Sequence, residues 1–210
     1  MAKPKDVTGG DTPIPKRGMP AAEASGDEPS GPQWVTRFPG SVSTGELAAT
    51  FRVGVERFIA AMRAAGMQVA VTATYRPPQR SYLMHWCWKI KHGSDPRTVP
   101  SMAGVRIDWV HATPAQSLQA ARRMVSAYGM NALRTPPALR SLHNEGLAID
   151  MNISWRGSAS IVDADGATVR IDATPRTGMH PRLKLIGASY GVIKFVGGDS
   201  DKPHWSSTGH

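Results

Sequence analysis

The sequence predicts an α+β domain built on a small antiparallel sheet with flanking helices. Three observations carry this. Four segments place apolar residues at spacings of three and four, the mark of one-sided helices. The strand-like segments gather in the C-terminal half, joined by a hairpin signal rather than by regular strand-helix-strand crossovers. With 210 residues, 40% hydrophobic and 20% charged, the chain is globular in composition and long enough for one proper core.

Residues 1–31 are rich in Gly, Pro, Ser and charge and poor in large apolar groups, which predicts a flexible leader. Residues 32–45, PQWVTRFPGSVSTG, carry Trp34 and Phe38 and read as an ordered surface arm, leaving 46–210 as the main domain. Leu47, Phe51, Val55, Phe58, Ile59 and Met62 form one helical stripe, stopped by Gly66. The segment QVAVTATYR (68–76) alternates like a strand and ends at Pro77-Pro78, which cannot continue a ladder. A second helix runs from this diproline to Gly93. A long loop (94–113), with a short strand expected in GVRIDWV, leads to a third helix ended by Gly129.

From Gly146 to Trp155 the chain alternates again. Leu147, Ile149, Met151 and Ile153 share one face; Ala148, Asp150 and Asn152 share the other. The apolar face must meet the core, so Asp150 points into a region flanked by small or polar residues. IVDADGATVRI reads as a hairpin turning at Asp165-Gly166. DADG also opens like a calcium loop, but the later Glu is missing and the strand pattern explains it. HPRLKLIGASYG is a last helix, VIKFV a last strand, and GGDSDKPHWSS a polar loop.

Bulk properties exclude several roles. No run of about 18 apolar residues is present, so no bilayer span is expected. The first residues lack the apolar core of a Sec signal, which predicts synthesis in the cytoplasm. One cysteine, Cys87, rules out an internal disulfide and a thiolate zinc cluster. The net charge of +9 suits an anionic partner such as nucleic acid, lipid headgroups or cell wall. The basic residues are scattered, however, and no nucleic-acid-binding motif accompanies them.

Chemically capable groups cluster at strand ends. Ser141-x-His143-x-x-Gly146-x-Ala148-x-Asp150 is one such place; Asp201-x-x-His204-Trp205 is another; Arg76, before the diproline, is the third. Positions 143 and 150 lie on opposite faces of a regular strand, so His143 and Asp150 converge only if Asn144-Glu145-Gly146 makes a turn. Taken singly, His143 is a hydrogen-bonded histidine and Asp150 a solvated strand residue. Two histidines, one carboxylate and an open position together make a catalytic zinc site. A second, unligated carboxylate is then needed as base, and Asp201 is placed for it, with Asp199 as a substitute. Ser141 and His143 lack the setting of a serine nucleophile.

The pattern S-x-H-x-x-G-x-A-x-D, followed by D-x-x-H and preceded by Y-R, resembles the zinc peptidases of bacterial cell wall. These are the D-alanyl-D-alanine carboxypeptidases and L-alanyl-D-glutamate endopeptidases that share the hedgehog/DD-peptidase fold. The resemblance covers roughly residues 45–208. It implies one zinc ion on His143, Asp150 and His204, with Asp201 as base and Arg76 assisting the substrate carbonyl. It also implies a substrate or supporting contact for Ser141, and Trp205 reads as packing beneath the site. Asp rather than Glu in D-x-x-H points to the endopeptidases, hence to a peptidoglycan stem peptide as partner. The other readings are the D-alanyl-D-alanine carboxypeptidase and a catalytically inactive module that binds wall or nucleic acid. Action on the wall without a Sec signal implies release or delivery, as for a phage endolysin or a secreted effector, with residues 1–31 as a tether to a delivery partner.

Overall fold

The computed structural model describes residues 27–210. The expectation of a flexible leader falls, for residues 1–26, outside the described residues. Its boundary at residue 31 moves. Glu28–Pro29 (β1) pairs in parallel with Ile107–Asp108 (β3), and Ser30 Oγ lies 2.9 Å from His111 Nε2.

The principal sheet has four strands in the order β2-β4-β8-β7, every neighbour antiparallel: Gln68–Ala73, Ala148–Ser154, His204–Ser206 and Ile193–Lys194. Ala159–Val162 (β5) and Thr168–Ile171 (β6) form a separate hairpin. Its turn is held by Asp163, whose carboxylate accepts the amides of Asp165 and Ala167. That Oδ1 is thus taken up by its own loop, in keeping with a turn rather than a calcium loop. The four α-helices among the described residues are α1 (Ala49–Ala64), α2 (Pro78–Lys91), α3 (Pro114–Ala127) and α4 (Pro181–Ser189). The predicted α+β class with a small antiparallel sheet is the observed one, with the β1-β3 pair as a parallel addition. No helix among the described residues is long and apolar enough to cross a membrane.

Two cores result. The α1 stripe Phe51, Val55, Phe58 and Met62 packs on the apolar face of β4, Ile149 and Met151, and on Trp205. The second core lies between α2 and α3, where Tyr82, Leu83, Cys87 and Trp109 meet Met124 and Val125. Trp34 is 2% exposed within that core. Residues 32–45 are therefore less a surface arm than a strap whose tryptophan is a core residue. Tyr82, Trp88 and Trp109 are likewise core residues. Cys87 is buried and its thiol is pushed up to about 12 by desolvation.

The segment after Gly197 is not simply a polar loop. A 3-10 turn (Gly198–Asp201) leads into β8, which joins the sheet between β4 and β7. Three residues are too few for a periodic signal, so the strand leaves no mark in the sequence. Trp205 anchors it. The side chain is fully buried, edge-on to Phe58 at 5.4 Å between ring centroids.

Candidate metal centre

Asp150 lies mid-way along β4, with Ala73 of β2 as its partner on one side and His204 of β8 on the other. Directly paired residues on an antiparallel sheet point to the same face. The pairing therefore sets the Asp150 carboxylate beside the His204 imidazole, on the face opposite the apolar residues. His143 arrives from outside the sheet, on a 3-10 turn (Leu142–Glu145) that ends at Gly146 in the left-handed conformation. The expected turn is present. Asn144 holds it: its Oδ1 accepts the Ser141 amide at 2.9 Å, and its Nδ2 donates to the Arg76 carbonyl (2.7 Å) and to Ser81 Oγ (2.9 Å).

Both imidazoles have their outer nitrogens committed. His143 Nδ1 donates to the Thr74 carbonyl at 2.7 Å, and His204 Nε2 donates to the His210 main-chain oxygen at 3.2 Å. Since these oxygens can only accept, each ring carries a proton there, and the neutral ring turns a lone pair inward. The β2–β4 register shifts between Val71 and Ala73, and just past that irregularity Thr74 presents its carbonyl to His143.

The inward atoms meet. His143 Nε2 is 3.2 Å from His204 Nδ1 and 3.3 Å from Asp150 Oδ1, and His204 Nδ1 is 3.1 Å from the same oxygen. Three acceptors this close repel one another unless a proton or a cation lies among them. Ligands bound tetrahedrally to zinc at ~2.0–2.1 Å sit ~3.3 Å apart, the spacing observed here. The donor set of two neutral imidazoles and one carboxylate suits zinc. Both histidines are buried, at 3% and 6% exposure, and the Asp150 side chain keeps 17%. Burial raises the Asp150 carboxyl, yet with no ion between them hydrogen bonds from the two imidazoles hold it well below the usual carboxylate range, a proton then standing where a cation would. His143, Asp150 and His204 therefore form a site able to hold one metal ion.

The triad opens into a cleft of about 770 Å³, which Arg76, Arg140, Ser141 and Asp201 also line. Arg76 is placed by its backbone, whose amide donates to the His143 carbonyl at 3.0 Å. Burial lowers its guanidinium, and the charges of Asp150 and Asp201 counter this. The Asp201 carboxyl is raised, first by desolvation and then by the Asp150 charge. Ser141 Oγ is buried without a hydrogen-bond partner. Trp205 does not line the cleft, because alternation along β8 sends it into the core beneath His204.

Sequence reasoning missed four supporting groups. Thr74 and His210 act through backbone oxygens, which no residue type announces. Asn144 reads as an ordinary turn residue. Lys194, expected only as part of a strand, is buried, with its ammonium donating to the carbonyls of Lys202 (2.6 Å) and His204 (2.7 Å). It thereby ties down the segment that carries Asp201 and His204. Desolvation brings Lys194 down to about 8.

No protein-family model matches the chain, and no curated protein does. Among solved structures it is similar to a mutant of the vancomycin resistance D,D-pentapeptidase VanY, from the VanB-type resistance cassette, in complex with Zn(II). Identity is 18% over 86% of this chain and 85% of that chain, with a TM-score of 0.36. VanYB in complex with D-alanine-D-alanine is 17% identical over 81% of this chain and 78% of that chain, with a TM-score of 0.37. Likenesses this distant transfer no residue roles, and the chemistry of the site stands on its own geometry.

Proposed function

We propose that the chain is a zinc-dependent peptidase acting on the stem peptide of bacterial peptidoglycan. The observation that carries the metal reading is the convergence of three ligand atoms, His143 Nε2, Asp150 Oδ1 and His204 Nδ1, at 3.1–3.3 Å. Zinc held there would lower the pKa of a bound water towards neutrality and polarise the substrate carbonyl. Asp201, with its raised carboxyl on the same cleft, takes the proton of the attacking water and returns it to the leaving amine. The Arg76 guanidinium donates to the oxygen on which negative charge develops.

The substrate side is argued from the cleft. Arg76, Arg140 and the unpartnered Ser141 hydroxyl offer donors and positive charge beside the triad. They suit a free carboxylate next to the scissile bond. Two stem-peptide bonds provide one: the terminal D-alanyl-D-alanine bond, and the L-alanyl-D-glutamate bond, because D-glutamate continues through its side chain and keeps its α-carboxylate. In both, the leaving residue has the D configuration. Asp rather than Glu in D-x-x-H supports the endopeptidase cut; VanYB in complex with D-alanine-D-alanine exemplifies a protein that binds the other.

The test is digestion of purified peptidoglycan with and without chelator, with products read by mass spectrometry. The expected result is chelator-sensitive release. A new C-terminal L-alanine names the endopeptidase, and loss of a terminal D-alanine names the carboxypeptidase. Absence of both from a zinc-loaded chain would overturn the substrate assignment.

A further inference from the structure

We propose that the turn Ser206–His210 is a positioning element for the metal site, holding the His204 ring so that Nδ1 faces the ion. This inference rests on the zinc reading of the triad. Its basis is a turn whose internal bonds all serve to place one oxygen. Ser206 is fully buried at the end of β8. Its hydroxyl accepts the Gly209 amide at 2.8 Å and donates to the His210 main-chain oxygen at 3.1 Å. That same oxygen accepts the proton on His204 Nε2.

Gly209 lets the turn close. Its φ of +82° lies in the left-handed region, and a Cβ there would come within 3.0–3.2 Å of Ile193, Val196 and the Lys194 carbonyl. Its own carbonyl accepts the Val196 amide at 2.9 Å, which pins the turn to the chain just after β7. The return of the chain is thus fixed at both ends, by a buried hydroxyl and by a backbone bond.

The consequence follows from imidazole chemistry. A ring with no acceptor at Nε2 is free to carry its proton on Nδ1, the atom that must be bare to bind a cation. Without the His210 main-chain oxygen, His204 also loses the contact that fixes its rotation about the Cβ–Cγ bond. The other two ligands keep their own supports: Thr74 for His143, and the β4 ladder for Asp150. Loss of the turn should therefore weaken the site through one ligand alone. Losses of ~10–100-fold in metal affinity are usual when such an outer partner is removed.

Zinc affinity of the full chain is measured by competition with a chromogenic chelator, alongside the visible spectrum of the cobalt(II)-loaded protein. Ser206→Ala, and separately a chain lacking residues 208–210, should bind zinc ~10–100-fold more weakly and shift the cobalt bands. His210→Ala keeps the main-chain oxygen and should stay close to the parent in both readouts. Thermal melting of the metal-free proteins identifies a variant that fails to fold, and the comparison with the parent then uses the other. Parent-like affinity and spectrum in the folded variants would overturn the proposal, as would an equal loss in His210→Ala. If the parent chain binds no zinc, the metal reading fails together with the inference, which separates that outcome from a failure of the turn alone.

Discussion

Asp201 separates binding from chemistry at the level of single residues. It lines the cleft but is not one of the three converging ligands, so Asp201→Asn should keep zinc and lose turnover by ~10²–10⁴-fold. Steady-state rates alongside metal content check this, and an unchanged rate would contradict Asp201 as the base. The ligand side chains are legible in the sequence because their types and spacing are chemically restrictive. The groups that orient them are not, since Thr74 and His210 contribute backbone oxygens that any residue could supply. Lys194 is illegible for a related reason. Its burial becomes evident only once β8 brings the carbonyls of residues 202 and 204 over its ammonium.

The turn before β4 is the element on which the site depends most. Gly146 has φ +68°, and a Cβ there would sit 2.9 Å from the Ala48 nitrogen and the Glu46 oxygen, both backbone atoms that cannot swing aside. Its carbonyl also accepts the Ala48 amide at the start of α1. Gly146→Ala should therefore cost about 1–3 kcal/mol and lower the melting temperature by several degrees. Because the strain acts on the turn that bears His143, zinc affinity should fall as well; a melting curve and a zinc titration superimposable on the parent's would contradict this. The helices α1 to α4 and the strand β4 are legible from periodicity and from Gly and Pro punctuation. β8 is not, being only three residues long, although it carries His204. Its place in the sheet is set by Trp205 in the core and by its pairing with β4 and β7.

Across the whole molecule, the site joins the sheet, which supplies Asp150 and His204, to the start of α2, where the Arg76 carbonyl and Ser81 support the His143 turn. The strap before α1 helps to hold this arrangement. Ser41 exchanges backbone hydrogen bonds with Thr74 and Tyr75, and Trp34 Nε1 donates to the Pro29 carbonyl. A chain lacking residues 1–31 should melt lower than one lacking residues 1–26, because only the longer deletion removes β1, the Ser30–His111 contact and the acceptor of Trp34. Equal melting temperatures for the two would return residues 27–31 to the leader. The fold class is readable from the order of helical and strand patterns. The parallel β1-β3 pair is not, because two residues of strand leave no periodicity and their partner lies far along the chain.

One zinc ion on His143, Asp150 and His204 underlies every chemical role proposed for this molecule, and the zinc content of the purified full chain decides whether it is there. Elemental analysis after dialysis should give one zinc per parent chain and a marked loss in His143→Ala and in His204→Ala. A parent chain free of zinc after zinc loading, or alanine variants that retain a full equivalent, would contradict it.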